Sequence, residues 1–274
     1  MKRLIAGLIA GLILGVTVHG FAEEVPAAPG NAEQAEIEVI STDPADYALP
    51  VADFEFGIQE SEPVKHSYFD DAVFIGDSIS LKLSKYVRMM RQEDDDFLGD
   101  AKFLVAGSLG SGNALWKVSN ESVHPSYQGK KMLLEDSVKA LKAKKVYIML
   151  GINDVALYGV EGSVENMETL IERILEKSPK AEIFVQSATP RIAAMKSKPT
   201  NRAIFEYDLK LLELCLEKGW HYVDVASVMR DENGNLYENY CSDAPTMGMH
   251  FTDEACQIWV DYLLTHTPET EEND

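Results

Sequence analysis

Cysteine is scarce in this sequence, and the few cysteines are not spaced like metal ligands. Cys215, Cys241 and Cys256 are the three cysteines in 274 residues. No pair of them has the close spacing of a structural zinc site, so a zinc module is excluded. Two alternatives stay open for the thiols: a disulfide between Cys241 and Cys256, which an exported protein permits, or three buried or free thiols.

Positive charge is also scarce and unevenly distributed. The chain has 45 acidic residues against 25 basic ones, for a formal net charge of −20. Residues 23–62 contain eleven acidic residues and no Lys or Arg, and residues 269–274 add four more acidic residues. Nucleic-acid backbones and anionic lipid surfaces both attract clustered Lys and Arg. The composition therefore predicts no nucleic-acid partner, and it predicts an ordinary mixed surface for residues 63–268.

Long apolar runs are confined to the N-terminus of the sequence. Met1-Lys2-Arg3 is followed by an apolar stretch over residues 4–18 and then by small residues up to Ala22. The stretch is shorter than the roughly 20 residues that span a bilayer, so it predicts a secretory signal peptide over residues 1–22. An uncleaved single-span anchor is the alternative, because three glycines weaken the run without excluding insertion. No cysteine follows directly, so a lipid anchor is not indicated.

Composition divides the rest of the chain into three parts. Residues 23–62 are rich in Ala, Glu and Pro and have no sustained apolar period, which is typical of a disordered acidic linker. Residues 63–268 carry the apolar patterns of a folded domain, and residues 269–274 form an acidic tail. The sequence thus predicts a secreted or cell-surface protein with no membrane contact after signal cleavage.

Short apolar segments alternate with amphipathic ones from residue 68 onward, a pattern typical of a parallel sheet covered on both faces. No internal repeat and no second domain are indicated. The predicted fold is α/β, a three-layer α/β/α domain with a five-stranded, mainly parallel sheet. The predicted strands are 72–75, 102–106, 145–150, 182–187 and 220–223, and the predicted helices are 80–91, 132–142, 164–176, 201–218 and 252–266.

The segment Gly76-Asp77-Ser78 stands where the first predicted strand passes into the first predicted helix. A serine at such a corner has a hydroxyl clear of the sheet edge and a backbone N–H at a helix N-terminus, where negative charge is favoured. An acyl-transfer nucleophile needs both features. The plainer alternative is a serine that only caps the helix.

Three further segments carry polar or flexible residues at predicted strand ends or helix starts. Gly107 follows the second predicted strand, Asn153 follows the third, and His250 precedes the last predicted helix. In parallel sheets functional groups gather at the carboxyl ends of the strands. If these segments share one edge with Ser78, they bring together a nucleophile, backbone amides, a side-chain amide and a base, which are the parts of an esterase.

In this order the four segments resemble the SGNH, or GDSL, family of serine esterases and acylhydrolases, over roughly residues 70–266. The resemblance implies a flavodoxin-like fold, and it implies Ser78 as the nucleophile and His250 as its general base. It also implies an oxyanion hole formed by the N–H groups of Ser78 and Gly107 and the side-chain amide of Asn153. No metal and no cofactor are needed for this chemistry.

The sequence departs from the family pattern at one position. The family usually has an aspartate three residues before the histidine, to orient its imidazole, and here that position is Met247. Asp243 is the nearest upstream carboxylate and is the candidate orienter. The alternatives are Asp253, at the start of the last predicted helix, or a main-chain carbonyl that leaves a Ser-His dyad.

Other polar residues near these segments receive plainer interpretations. Asp77 and Asp154 stand beside turns, where short carboxylates usually accept backbone N–H groups, so both are predicted to be structural. Four further side chains are interpreted first as loop or core residues and second as pocket lining: Trp116, His124, Tyr158 and Arg191.

The predicted function is that of a secreted serine ester hydrolase that forms an acyl-enzyme on Ser78. Few insertions and no long apolar lid are evident in the sequence, which favours small acyl groups such as acetyl on carbohydrate or other small esters. The expected partner is a small-molecule or carbohydrate ester, with cell-wall association as a further expectation. The alternatives are an O-acyltransferase that uses the same serine and histidine, and a non-catalytic wall or carbohydrate-binding module.

Overall fold

The structure, a computed structural model, describes residues 57–268. The predicted signal peptide, the predicted linker up to residue 56 and the predicted acidic tail lie outside the described residues. Within residues 57–268, no helix combines the length and the apolar character that crossing a bilayer requires.

A five-stranded sheet forms the centre of the domain, and all of its neighbouring strands are parallel. The strand order is β2-β1-β5-β6-β7, which is the flavodoxin-like order when the small hairpin β3-β4 is left out. This confirms the predicted fold class. In chain order the strands are β1 (Ala72–Gly76), β2 (Lys102–Val105), β3 (Ser126–Tyr127), β4 (Lys130–Lys131), β5 (Lys145–Met149), β6 (Glu182–Gln186) and β7 (His221–Val223).

Helices cover both faces of the sheet. On one side α4 packs against both α3 and α5, while on the other α1 packs against α6, so the sheet lies between two helical layers. In chain order the helices are α1 (Ser78–Met90), α2 (Ser111–Ala114), α3 (Leu134–Leu141), α4 (Ile152–Lys177), α5 (Asn201–Lys218) and α6 (Asp253–Thr265).

Stacked rings, one from each strand, fix the register of the main sheet. Phe103, Phe74, Tyr147, Phe184 and His221 occupy paired positions across β2, β1, β5, β6 and β7. Their ring centroids are 5.3, 4.8, 4.4 and 4.7 Å apart in that order. Because aromatic cross-strand pairs stabilise one register over its neighbours, this row aligns the carboxyl ends of the strands at one edge.

The bounds of the ten predicted elements agree with the structure within two residues at either end, except at α4. This helix was predicted over residues 164–176 but begins at Ile152. Its first turns are separated from the rest by Gly159, whose φ of 69° and ψ of −176° are not helical. The kink interrupts the apolar period, so the pattern indicated the second part of the helix alone.

The start of the folded domain is a correction to the sequence prediction. The disordered linker was predicted to extend to residue 62, but residues 57–62 pack on the domain. Gly57 forms an antiparallel bridge with Val223 of β7, and the Ile58 N–H donates to the Tyr222 carbonyl at 2.9 Å. The Ser61 N–H donates to the Thr265 carbonyl at 2.6 Å. An edge strand with open backbone groups recruits this segment, and such pairing requires no apolar period.

The disulfide alternative is also wrong, because all three cysteines are free. Cys256 is fully buried on α6. Cys241 lies in the preceding loop, and its thiol donates to the Asp243 carboxylate at 3.3 Å. Cys215 is buried on α5, so the structure matches the alternative of buried or free thiols.

Candidate active site

The turn after β1 places Ser78 at the beginning of α1. A Cβ at Gly76 would lie 2.0 Å from Ser80 Oγ and 2.9 Å from the Met149 carbonyl, so this turn admits glycine alone. Asp77 is the N-cap, since its Oδ1 accepts the Ile79 N–H at 2.8 Å. Ser78 is therefore inside the helix and not its cap, and its hydroxyl is left for other contacts.

His250 connects Ser78 to an acidic residue. Its Nε2 atom lies 2.8 Å from Ser78 Oγ, and its Nδ1 atom lies 2.6 Å from Asp243 Oδ2. Of the three predicted alternatives for orienting the imidazole, the structure has Asp243. Asp253 instead forms an ion pair with Lys82 on α1.

The Asp243 carboxylate is held by four donors. Its Oδ2 contacts the imidazole, and its Oδ1 accepts the N–H groups of Met249 and His250 at 3.0 and 3.1 Å and the Cys241 thiol at 3.3 Å. Partial burial alone would raise the pKa of Asp243, but the hydrogen bonds from His250, Cys241 and Met249 outweigh it and lower the pKa to about 2. The carboxylate is therefore ionised at neutral pH.

A closed loop explains how a carboxylate seven positions upstream reaches the histidine. Cys241 bridges Phe251 in antiparallel fashion, and the Ser242 N–H donates to the His250 carbonyl at 2.8 Å. At the tip of the loop Gly248 has a φ of +64°, and a Cβ there would lie 2.6 Å from Met195. The two ends of the loop are therefore paired, which sets Asp243 beside His250.

Arg191 forms hydrogen bonds that hold the loop between Cys241 and Phe251. Its guanidinium is buried, and its Nε and Nη2 atoms both donate to the Met247 carbonyl, at 3.1 and 3.0 Å. Its Nη1 atom donates to the carbonyls of Ser197 and Pro199 at 2.8 and 3.3 Å. Burial lowers the pKa of Arg191. The planar fork of this side chain thus ties the loop that carries Asp243 to the segment after β6.

Asn153 joins the ends of three strands. It lies in the first turn of α4, directly after β5, and its Nδ2 atom donates to Asp77 Oδ2 at 3.2 Å and to the Leu109 carbonyl at 3.0 Å. Asp77 follows β1, and Leu109 belongs to the loop after β2. The amide therefore lies beside the residue that precedes Ser78, with both of its hydrogens engaged.

Gly107 is exposed on the turn after β2. The Leu109 N–H closes this turn onto the Ala106 carbonyl at 3.2 Å, and Ser108 has a φ of 59°. A Cβ at Gly107 would meet nothing within 4 Å, and its own φ is not positive. The backbone geometry thus gives no steric reason for glycine at this position.

Two buried carboxylates brace the loops around Ser78. Asp154 accepts the Ser111 and Gly112 N–H groups at 2.8 and 2.9 Å, which holds the loop after β2. Burial raises the pKa of Asp154. Burial also raises the pKa of Asp77 to about 7, against the opposing hydrogen bond from the Ile79 N–H. Both accept backbone N–H groups, as the sequence predicted.

The family model of the GDSL-like lipases and acylhydrolases matches residues 74–258. The chain belongs to the GDSL-like lipase/acylhydrolase family. It is accordingly a carboxylic ester hydrolase. A search of curated proteins found no match.

Solved structures agree with this GDSL-type fold. A GDSL-like lipase from Bacteroides thetaiotaomicron is 19% identical with a TM-score of 0.52, over 70% of this chain and 84% of that one. A variant of an acetyl-xylooligosaccharide esterase from Geobacillus stearothermophilus is 17% identical with a TM-score of 0.50, over 81% of this chain and 100% of that one. At these identities the likeness establishes the fold.

The three remaining candidates of this GDSL hydrolase form no hydrogen bond with Ser78, His250 or Asp243 within residues 57–268. His124 is buried between the Ser122 hydroxyl and the Ala114 carbonyl, so it is a core residue. Tyr158 is partly exposed, with its ring against Gly112. Trp116 is exposed. Over residues 57–268 no cluster of His, Cys, Asp or Glu could hold a metal ion.

Two contacts of the GDSL site have no signal in the sequence. The bond of the Cys241 thiol to Asp243 depends on the closed loop. The bonds of Arg191 to Met247 join segments 56 positions apart. A lone cysteine and a lone arginine carry no spacing pattern that would predict either contact.

Proposed function

We propose that this chain is an exported serine esterase that removes small acyl groups, acetyl in particular, from carbohydrate or other small esters. The observation that carries the proposal is the continuous contact from Ser78 Oγ through the His250 imidazole to the ionised Asp243 carboxylate. Nucleophile, base and orienter in this arrangement are the requirements of acyl transfer to serine.

In the first half of the proposed reaction, Ser78 Oγ attacks the ester carbonyl carbon while His250 Nε2 takes its proton. The resulting tetrahedral intermediate collapses, and the imidazolium returns the proton to the leaving alcohol. An acyl ester then remains on Ser78. Asp243 stays ionised throughout and stabilises the imidazolium through Nδ1.

In the second half, His250 takes a proton from water, and the hydroxide attacks the acyl-enzyme carbonyl. Collapse of the second intermediate releases the carboxylic acid, and the proton returns from His250 to Ser78 Oγ. Negative charge on the carbonyl oxygen in both halves is assigned to the N–H groups of Ser78 and Gly107 and to the Asn153 amide. The Asn153 amide now donates to Asp77 and to the Leu109 carbonyl, so one of these two N–H groups would also have to donate to the oxyanion.

Three features support small acyl groups. Ser78 lies in a partly exposed position at the sheet edge. The connections between the described strands and helices include no long apolar segment that could cover a fatty chain. The structurally similar Geobacillus protein is described as an acetyl-xylooligosaccharide esterase. The predicted signal peptide supports an extracellular ester as the substrate.

The test is a chain-length series of p-nitrophenyl esters, from acetyl to palmitoyl, with Ser78→Ala as the control. We expect kcat/KM to be highest for acetyl and to fall with chain length, and we expect the variant to lack activity. A preference for long chains would overturn the substrate assignment. A parallel incubation with a sugar acceptor distinguishes the transferase, because that enzyme would form acetylated sugar in place of free acetate.

A further inference from the structure

A second cleft, which we call the basic cleft, lies away from Ser78. It has a volume of about 500 Å³ and lies between the segment that follows α2, the β3-β4 hairpin, the start of α3 and the later turns of α4. None of the residues of the Ser78 site lines it. Its chemistry is therefore separate from that of the catalytic groups.

Positive charge is concentrated around this cleft. Lys117, Lys130, Lys131 and Arg173 line it, against a single lining carboxylate, Asp136. That carboxylate is already paired with Lys177 at 2.5 Å. Four cations thus surround one cavity whose lining carboxylate is already paired. The cleft therefore favours an anionic occupant.

The four cations are of two kinds. The Lys131 ammonium donates to the Asn120 carbonyl at 2.8 Å, and Arg173 Nη1 contacts the Leu115 carbonyl at 3.5 Å, so backbone oxygens hold both without neutralising them. Lys117 and Lys130 are exposed and form no ion pair with any residue in the range 57–268. Two positive charges held by the backbone and two exposed ones thus face the same cavity.

Trp116 provides an apolar surface at the same place. Its side chain is 59% exposed and lines the cleft beside the lysines. An indole left in water at the rim of a cavity offers a flat, rigid face for stacking at small cost in conformational entropy. The C–H face of a pyranose ring fits such a surface, and carboxylates on the sugar would reach the lysines.

We propose that the basic cleft binds an acidic glycan, a sugar strand that carries uronic-acid carboxylates, and holds the enzyme on a polymeric substrate. This proposal rests on the proposed function, because holding an enzyme on a polymer is useful only if the enzyme acts on esters of that polymer. The binding itself does not require catalysis. A nucleic acid fits less well, because duplex DNA carries about one charge per 1.7 Å along its whole length, whereas the four cations are confined to one cavity. A uronic-acid polymer carries one carboxylate on each sugar ring, so a few adjacent sugars match the four cations of the cleft.

The experiment uses the full chain and sodium polygalacturonate as the probe, with neutral dextran and duplex DNA as comparisons. Binding is followed by retardation in native gels and by quenching of tryptophan fluorescence. We expect polygalacturonate to bind and dextran not to bind. In Trp116→Ala and in the double variant Lys117→Gln/Lys130→Gln, we expect the affinity to fall by about tenfold or more. Trp116→Tyr should restore much of the loss.

The matched control is Lys85→Gln/Lys180→Gln, which removes two exposed positive charges outside the cleft. We expect this control to bind polygalacturonate like the unaltered chain. Unchanged binding in both cleft variants, equal loss in the control, or tighter binding of DNA than of polygalacturonate would overturn the proposal. Hydrolysis of p-nitrophenyl acetate, measured on the same samples, should be unchanged, so failure of the cleft and failure of the esterase assignment are distinguishable.

Discussion

Asp243 Oδ2 lies 2.6 Å from His250 Nδ1, although Asp243 precedes the histidine by seven positions. The family usually has this carboxylate three positions before the histidine, where this chain has Met247. The closed loop between Cys241 and Phe251 replaces that spacing with a contact across the loop. A contact between a carboxylate and the histidine is thus kept although the position of the acid in the sequence differs.

Replacement of Asp243 by asparagine should lower kcat strongly. The carboxamide would retain the shape of the side chain but would not stabilise the imidazolium or fix its tautomer. We expect kcat for p-nitrophenyl acetate to fall by about 10³-fold or more in Asp243→Asn. Asp253→Asn is the matched control, because Asp253 pairs with Lys82 and not with the histidine. Equal losses in the two variants would contradict the assignment of Asp243.

The low pKa of Asp243 also predicts a pH-dependent contribution to stability. The native pKa is about 2 and the ordinary value is 3.8, so the contribution is fully present well above pH 4 and is lost as the pH falls toward 2. A shift of this size corresponds to about 2 kcal/mol. The difference in unfolding free energy between the unaltered chain and Asp243→Asn should therefore shrink by about 1 kcal/mol from pH 5 to pH 3. Denaturant unfolding at both pH values measures it, and a difference that grows toward pH 3 would be inconsistent.

Arg191 should act on catalysis through the loop that carries Asp243. Lysine keeps the charge but cannot make the forked contact with the Met247 carbonyl and the bonds to residues 197 and 199 at once. In Arg191→Lys we expect kcat to fall by about tenfold or more while KM for p-nitrophenyl acetate stays the same. If the lower activity came from unfolded protein, fewer molecules would be active. The kcat calculated per labelled Ser78 would then be unchanged. Titration of active sites with a fluorophosphonate separates the two cases.

Asp77 and Asn153 should be energetically coupled. In Asp77→Asn the Oδ1 cap of α1 can persist, but a donor replaces the Oδ2 acceptor that faces the Asn153 amide. We expect kcat to fall by up to about 10²-fold through misplacement of Asn153. Asn153→Ala should lower kcat as well, and the double variant should be little worse than Asn153→Ala alone. Additive losses would show that the two residues act independently.

The sequence predicted most of what local patterns control. Five apolar segments and the helices between them indicated the parallel sheet, and the strand ends at Ser78 and Asn153 fell at one edge, as the parallel topology requires. Ser78 and His250, 172 positions apart, were both named as candidates, and the structure has them in contact. This contact was predicted from the order of the motifs along the chain, because no local pattern links two such distant positions.

The features that the sequence did not predict depend on tertiary contacts, which leave no pattern in the local sequence. Asp243 was one of three alternatives, since its reach depends on the positive φ of Gly248 and on the Arg191 contacts. The docking of residues 57–62 depends on the open edge of β7, which pairs with Gly57 and Ile58, and on the last carbonyls of α6, which accept the Ser61 N–H. The first turns of α4 were missed because the Gly159 kink breaks the helical period. Each of these is a long-range or backbone effect with a weak local signature.

The most direct test of the Ser78–His250–Asp243 assignment is intact-protein mass spectrometry after reaction with a fluorophosphonate, followed by peptide mapping of the adduct. We predict a single adduct on Ser78 in the unaltered chain, no adduct in Ser78→Ala, and greatly slowed labelling in His250→Ala. Labelling of Ser78→Ala at the same rate, or an unreactive Ser78 in the folded chain, would contradict the account.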